Sequence, residues 1–204
     1  MKATKILQFL NEGNIDALRT AAEIEVMSEK IGSPNAVKAR EKLAKMAVKA
    51  FSKTRPYFAG AWERDGHQII TDGFVYGEYY DIVPGLPAAE SGATFNREFA
   101  GRKIDISIDI AELSKLEQLN KTKDSPAIIR IDKTYFQAKY IINTLSTLTG
   151  ELTYRLNRRP GYLRVDGENG FVVIMQYIPY QQDHKPIKIY EHKTSTYKKE
   201  NNDD

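Results

Sequence analysis

The 204-residue chain contains no cysteine, which excludes disulfides and thiolate metal sites and fits a reducing compartment. It also lacks any run of the roughly 20 apolar residues that a membrane-spanning helix needs. The apolar stretch near the start is interrupted by Gln8 and Asn11 before any cleavage-like site, so no signal peptide is predicted. We therefore expect a cytoplasmic protein with no membrane partner.

Motifs of catalysis are missing as well. The sequence has no phosphate-binding loop, nucleophile elbow or His-Glu-x-x-His signature. Asp105 and Asp109 alternate with isoleucines, which is typical of the solvated face of a strand and not of paired catalytic acids. Asp65 and Asp72 fall in separate predicted turns at opposite ends of one strand, so they are unsuited to share a metal with His67. These observations predict a binding protein that is not an enzyme and has no cofactor or metal.

The first half of the chain changes from helices to strands. Residues 1–32 are predicted to form a helical N-terminal segment, and residue 33 or 35 caps a further helix that runs to about residue 53. Residues 57–83 have the period of strands, with Asp-Gly turns that predict an antiparallel meander. The apolar side chains of the second helix are expected to share one buried side: Ile15, Leu18, Ala22 and Val26.

The second half repeats this order of elements. Residues 84–125 are predicted as an insertion that contains a long loop, a strand at 103–110 and a short helix. A helix from about Thr134 to Leu148 and three more strands follow. The chain therefore predicts one α+β domain over residues 33–180 and a flexible tail over residues 181–204.

The helix before the first meander carries a row of basic residues. Its lysines are spaced so that they share one face of the helix: Lys38, Lys42, Lys45 and Lys49. Residues 33–53 hold six basic residues and one acidic residue, which gives a local charge of 6 − 1 = +5. The row has two interpretations, a solvated helix face or a surface that attracts phosphates. An apolar stripe of Ala39, Leu43, Met46, Ala50 and Phe51 is expected to pack on the sheet.

Two stretches, about residues 38–82 and 128–178, resemble one module of the bacterial DNA sliding clamps, the beta subunit of DNA polymerase III. The first passes from a helix into strands and a Thr71-Asp72-Gly73 turn, and the second ends in an apolar strand. The resemblance implies a clamp-like fold of two helix-plus-three-strand units with a helical N-terminal extension. Because the family joins three modules in each chain, a ring would require this chain to assemble as a homo-oligomer.

The resemblance also implies partners and sites. It places the lysine-bearing helix on the side that faces double-stranded DNA, where contacts go to phosphates and carry no sequence preference. The expected DNA-binding residues are Lys38, Lys42, Lys45, Lys49, Lys53 and Lys139. The family also docks polymerases and repair proteins in a pocket between the turn and the last strand. The corresponding residues here are Thr71, Gly73, Phe74, Ile174 and Gln176.

Three functions follow as hypotheses. The first is a clamp-like, DNA-associated replication accessory protein that docks other proteins. The second is a protein-interaction module that has the clamp fold but does not bind or encircle DNA. The third is an enzyme with a site in the 84–125 insertion. The arginines near residues 155–164 are interpreted as decoration of a wet sheet face, with a phosphate or acidic-partner site as the alternative.

Overall fold

The computed structural model describes residues 3–89, 99–119, 126–178 and 189–192, and of residues 3–5 and 189–192 it describes the backbone only. Three helices open the chain: α1 (Ala3–Asn11), α2 (Ile15–Ile31) and α3 (Pro34–Phe51). Ser33 caps α3, since its hydroxyl oxygen accepts a hydrogen bond from the backbone N–H of Ala36 at 3.2 Å. The predicted helices are confirmed, with Ser33 as the cap. None of the helices among the described residues is long and apolar enough to span a bilayer.

A three-stranded antiparallel meander follows: β1 (Ala61–Arg64), β2 (His67–Thr71) and β3 (Val75–Tyr79). Asp65 and Gly66 connect the first two strands with φ angles of 53° and 79°. Left-handed backbone at both central residues of a two-residue loop matches the twist of the flanking strands. The meander predicted from the Asp-Gly turns is confirmed.

The described part of the insertion contains β4 (Arg102–Ile104) and α4 (Ile110–Leu119), and two further strands follow it: β5 (Ile128–Ile131) and β6 (Thr134–Gln137). The strand predicted over residues 103–110 is wrong beyond Ile104. Ile104 pairs with Tyr154, and the partner strand begins only one residue before Tyr154, so the ladder of hydrogen bonds has no partner to continue on. The alternating isoleucines that follow pack singly against the core instead of forming a strand.

The second unit begins with α5 (Ala138–Leu145) and continues with β7 (Thr153–Arg158), β8 (Gly161–Gly167) and β9 (Gly170–Met175). The helix predicted to begin at about Thr134 begins four residues later, at Ala138. Thr134 and Phe136 are buried while their neighbours are half-buried, and this alternation forms β6 opposite β5. A β-branched and aromatic run favours the strand over the helix.

The last described segment is β10 (Ile189–His192), which pairs parallel with β5 and gives a small sheet in the order β10-β5-β6. The remainder of the predicted tail, residues 181–188 and 193–204, lies outside the described residues.

The two meanders join into one seven-stranded antiparallel sheet. Their third strands pair with each other, Val75 opposite Ile174 through Tyr79 opposite Gly170, so the order is β1-β2-β3-β9-β8-β7-β4. Helices α3 and α5 cover one face of this sheet together, and the largest hydrophobic core lies between them and the strands. An aromatic cluster that includes Trp62, Tyr76 and Phe99 covers the other face. The predicted order, a helix and three strands given twice, is confirmed.

The buried sides of two helices differ from the prediction. In α2, Ile15 and Val26 are 57% and 62% exposed, and Ile24, Met27 and Ile31 pack toward α3 instead. In α3, the buried residues are Ala36, Val37, Arg40, Leu43, Ala44 and Ala47, while Ala50 is exposed. The buried face of α3 is rich in small alanines, and the larger Met46 is half-buried beside it.

Candidate nucleic-acid interface and partner pocket

Helix α3 presents a row of lysines to solvent. Five of them are exposed, and we call this set the lysine row: Lys38, Lys42, Lys45, Lys49 and Lys53. Their spacing of four, three, four and four residues keeps them on one face of the helix and of its C-terminal continuation, opposite the buried alanines. With Glu41 as the acidic neighbour within the row, the exposed charge is 5 − 1 = +4.

The amines of the lysine row are mostly unengaged. Lys45 lies 2.5 Å from a carboxylate oxygen of Glu41 one turn earlier, and both side chains are substantially exposed. Lys42 donates to Oδ1 of Asn143 on α5 at 2.7 Å. Among the described residues, Lys38, Lys49 and Lys53 have neither an ion-pair nor a hydrogen-bond partner. A solvated i, i+4 pair is worth only about 0.3–0.5 kcal/mol, so it does not prevent Lys45 from contacting a phosphate.

Arg40 is removed from the basic surface, although it belongs to the same helix. Its side chain is fully buried, its guanidinium carbon lies 4.0 Å above the ring of Tyr79, and Nη1 donates to the carbonyl of Asp81 at 3.0 Å. Nε and Nη2 have no hydrogen-bond partner among the described residues. Burial lowers the pKa of Arg40, against the charges of Tyr79 and Asp81 that raise it.

Lys139, the sixth predicted DNA-binding residue, lies in a different environment. It is half-buried at the start of α5, and its amine lies 4.7 Å from the ring centre of Tyr140. Burial raises the pKa of the Asp72 carboxyl and of the Glu117 carboxyl, and the charge of Lys139 acts against that rise at both. Lys139 therefore compensates two carboxyl groups of its own chain, which leaves it less available to a phosphate than the lysine row.

A pocket of about 320 Å³ lies between the C-terminal end of α3, the turn that joins β2 to β3, and β9. We call it the turn pocket. Its walls are mainly aromatic and aliphatic, and Arg55, which is exposed, gives it a basic rim. It is lined by Phe51, Arg55, Phe58, Thr71, Gly73, Val75, Tyr76, Phe99 and Met175.

The turn pocket lies where the predicted partner site was expected, but only two of the five predicted residues, Thr71 and Gly73, line it. Phe74 points away, is 54% exposed and stacks on Tyr140 at 5.1 Å. Ile174 is fully buried in the core beneath the helices. Neither residue lines the turn pocket, and Gln176 does not line it either.

The alternation of β9 explains why Ile174 does not line the turn pocket. Successive side chains of a strand point to opposite faces, so Ile174 faces the helices and Met175 faces the aromatic cluster and the pocket. Gln176 follows next, and its backbone N–H donates to the carbonyl of Gly161 at 3.0 Å. The residue between the two predicted ones is the one that lines the site.

The Thr71-Asp72-Gly73 turn is held by its own side chains. Oδ1 of Asp72 accepts from the N–H groups of Phe74 and Val75, each at 3.0 Å. The hydroxyl of Thr71 donates to the carbonyl of Val75 at 2.6 Å. Gly73 has a φ of +89°, and a Cβ there would lie 2.9 Å from the tip of the Phe51 ring. The turn thus fixes one wall of the turn pocket.

Most of the arginines near the Arg-Arg-Pro turn are paired within the chain. Arg155 and Arg164 both bind the carboxylate of Asp166, at 3.2 and 2.6 Å, and Arg158 pairs with Asp132. The guanidinium of Arg164 also stacks 4.0 Å from the ring of Phe171. This arrangement agrees with decoration of a wet sheet face, since paired arginines offer little to an added anion.

A polar network on β2 and β3 was not predicted. Nδ1 of His67 lies 2.8 Å from Oε1 of Glu78, whose other oxygen accepts from the hydroxyl of Tyr76 at 2.7 Å. Burial alone would raise the pKa of Glu78, but hydrogen bonds from Tyr76 and His67 and the charges of His67 and Arg64 bring it below its ordinary value. The i, i+2 spacing of Tyr76 and Glu78 on one strand is the sequence signal that could have indicated their contact.

Comparison of the chain with known proteins adds no assignment to this geometry. Among the described residues, no group of three or more histidines and carboxylates is placed to hold a metal ion. No family model, no curated protein and no solved structure matches the chain.

Proposed function

We propose that this protein binds the backbone of duplex DNA through the lysine row, without sequence preference, as a module similar to one module of the bacterial sliding clamps. The observation that carries the proposal is the exposure of five lysines on one face of α3, three of them without a partner among the described residues. The antiparallel pairing of the two meanders through their third strands, with α3 and α5 together on one face, supports the likeness to a clamp module.

The geometry of the row suits a polyanion. From Lys38 to Lys53 it spans about 22 Å at 1.5 Å per residue, which is several base pairs of duplex. Lysine ammonium groups act as point charges on flexible stems, so they contact phosphates without reading bases. A small net charge of +3 over the chain is compatible with such a surface because the charge is concentrated on one helix.

Fluorescence anisotropy of a labelled duplex, measured across a salt series, tests the proposal. The variant Lys38→Ala, Lys49→Ala, Lys53→Ala should bind more weakly at low salt. The slope of log affinity against log salt should fall by about 3, because roughly one counterion is released for each phosphate that a lysine neutralises.

A matched variant controls for the change in net charge. Lys103→Ala, Lys133→Ala, Arg159→Ala removes three exposed positive charges away from α3 and should leave both the affinity and the slope close to those of the wild type. Equal losses in the two triple variants would show that the binding is diffuse, and the lysine row would be rejected as the interface.

The turn pocket favours a second function, docking of a partner protein, which the interaction-module hypothesis would keep even without DNA binding. A pocket of about 320 Å³ is at the lower end of the range for ligand sites and accepts one or two apolar side chains. An anionic aromatic dye such as anilinonaphthalene sulfonate should bind it, with the sulfonate at Arg55. Met175→Lys, which places a charged chain in the wall, should reduce that binding while DNA affinity persists. Undiminished dye binding in this variant would reject the pocket.

A further inference from the structure

Helices α1 and α2 expose an unusual concentration of apolar side chains. Of the ten large hydrophobic residues that are exposed in the described part of the chain, five lie between residues 6 and 26: Ile6, Leu7, Leu10, Ile15 and Val26. Single apolar residues scattered over a surface are ordinary, but half of the exposed large hydrophobic residues falling on two consecutive helices indicates a contact surface.

Helix α2 has apolar residues on two opposite sides. One side, with Ile24, Met27 and Ile31, packs on α3 and the loop after β3. Ile15 and Val26 are eleven residues apart, three turns of helix, and face away from that contact. A surface helix normally shows one apolar stripe, so the second stripe indicates that another surface covers it.

The turn that joins α1 to α2, with the helix ends beside it, is both apolar and acidic. We call residues 10–16 the tip. Leu10 and Ile15 are 52% and 57% exposed, and Glu12 and Asp16 between and beside them are exposed as well. No basic residue falls between residues 9 and 18, so the tip carries a formal charge of −2. Two tips would repel each other, which disfavours a symmetric tip-to-tip contact, and the same charge disfavours nucleic acid as the cover.

The backbone of the tip is fixed before any contact forms. Gly13 takes a left-handed φ of +65°. The side chain of Asn14 accepts a hydrogen bond from the N–H of Ala17 at 3.1 Å, which caps α2. A preordered turn loses little conformational entropy on docking.

The turn pocket has the properties that the tip requires. Its walls include Phe58, Val75 and Met175, and its rim carries Arg55. We infer that the tip of one copy docks in the turn pocket of a second copy, with Leu10 or Ile15 inserted between the aromatic walls and Glu12 and Asp16 facing Arg55. This inference rests on the docking role proposed for the pocket and is independent of DNA binding.

The contact is heterologous, because the surface used on one copy differs from the surface used on the next. After two copies pair, one keeps a free pocket and the other keeps a free tip, so the assembly either closes into a ring or extends as a chain. A homo-oligomer of this kind would follow from the two surfaces alone.

Two variants separate the surfaces, and both change exposed residues so that folding is preserved. The tip variant is Leu10→Asp, Ile15→Asp, and the pocket variant is Arg55→Glu. Wild-type protein without DNA should show a solution mass that rises with concentration, measured by light scattering. Each variant alone should associate at least roughly tenfold more weakly than the wild type, as expected for the loss of a central contact.

Mixing the two variants is the decisive measurement. The pocket variant still has a tip and the tip variant still has a pocket, so an equimolar mixture should form a 1:1 complex and nothing larger. A wild-type mass that stays monomeric at every concentration overturns the inference, as does a mixture that stays monomeric. Self-association of the Arg55→Glu variant equal to that of the wild type overturns it as well.

Parallel measurements show which proposal has failed. If the dye still enters the wild-type pocket while the mixture stays monomeric, the pocket docks something else and only this inference falls. If the dye does not bind, the docking function falls with it. The Lys38→Ala, Lys49→Ala, Lys53→Ala variant should assemble through the tip and keep its mass, whether or not DNA binding is lost.

Discussion

The first unit, α3 with β1–β3, and the second unit, α5 with β7–β9, place the same elements on the same face of one sheet, yet their helices meet solvent differently. Helix α3 exposes four lysines along its length and a fifth just after it. Helix α5, packed between α3 and α4, has no fully exposed residue among its eight. The lysine face of α3 is open to solvent, whereas α5 is covered by neighbouring helices, so the two units differ in the charge that they expose.

The same comparison applies to the turn before each third strand. Asp72 in the first unit closes its own turn through the N–H groups of Phe74 and Val75. Asn169 in the second unit reaches outward, accepting from the N–H of Thr149 at 2.9 Å and donating to the carbonyl of Thr147 at 3.1 Å. The turn with Asp72 is held by its own side chains and borders the turn pocket, while the turn with Asn169 is hydrogen-bonded to the segment just after α5.

The largest expected effect tests whether the two units are one cooperative structure. Ile70 in β2 and Ile174 in β9 are both fully buried in the core beneath the helices. Ile70→Ala and Ile174→Ala should each lower the free energy of unfolding by about 2–5 kcal/mol, the usual cost of a buried cavity. Urea denaturation should show one transition with an unchanged m-value in both variants.

A biphasic curve in either variant would break the comparison, because it would mean that one unit unfolds without the other. The antiparallel pairing of β3 with β9 argues against that outcome, since loss of either strand exposes the other.

The next effect distinguishes the two turns by their glycines. Gly170 and Gly73 both have positive φ, of 145° and 89°, so alanine at either position is strained by about 1–3 kcal/mol. A Cβ at Gly170 would also lie 2.3 Å from the carbonyl oxygen of Glu78, a backbone atom that cannot move without disturbing the β3–β9 junction. At Gly73 the close neighbour is the movable end of the Phe51 ring.

Gly170→Ala should therefore destabilise the protein more than Gly73→Ala, as measured by denaturation midpoints. Gly66→Ala is the control, because its φ is 79° and no atom lies within 4 Å of the added Cβ. Equal losses in all three variants would show that strain alone matters and that the junction tolerates the extra methyl group.

Much of the fold was predictable because it depends on local signals. Asp-Gly turns, a serine cap and strand alternation are read directly from neighbouring residues, and they gave the helices, both meanders and their order. Thr134–Gln137 was predicted as part of a helix because α5 follows it without a break, although its β-branched and aromatic residues favour the strand that pairs with β5.

The candidate site was predictable only in part, for a related reason. The lysine row follows from helical spacing, and all four lysines on the helix are exposed as expected. The burial of Arg40 depends on Tyr79 and Asp81, which lie about forty residues away in sequence. The pocket wall at Met175 depends on which face of β9 meets the aromatic cluster, and Phe99 arrives from the insertion. Such contacts are set by tertiary packing, which a single sequence does not display.

The smallest expected effect is a pH dependence of stability that arises in only one of the two turns, since Asp72 ionises and Asn169 does not. Burial raises the pKa of Asp72 above its ordinary value of 3.8, although the backbone hydrogen bonds and Lys139 oppose the rise. A carboxyl group whose pKa is higher in the folded state binds more protons folded than unfolded. Its contribution to stability is therefore greatest below the ordinary value and is lost as the pH rises through the raised pKa.

Asp72→Asn should remove this dependence, because an amide oxygen still accepts from the N–H groups of Phe74 and Val75 but carries no charge. Urea denaturation of both proteins through the acid range should show similar stabilities at the lowest pH and a relative gain for the variant as the pH rises. Glu117 titrates alike in both proteins, so the difference between them isolates Asp72. A variant that instead loses stability relative to the wild type with rising pH would show that the backbone hydrogen bonds and Lys139 together hold the ionised carboxyl more strongly than burial opposes it, and that the first turn, unlike the second, depends on a charged side chain.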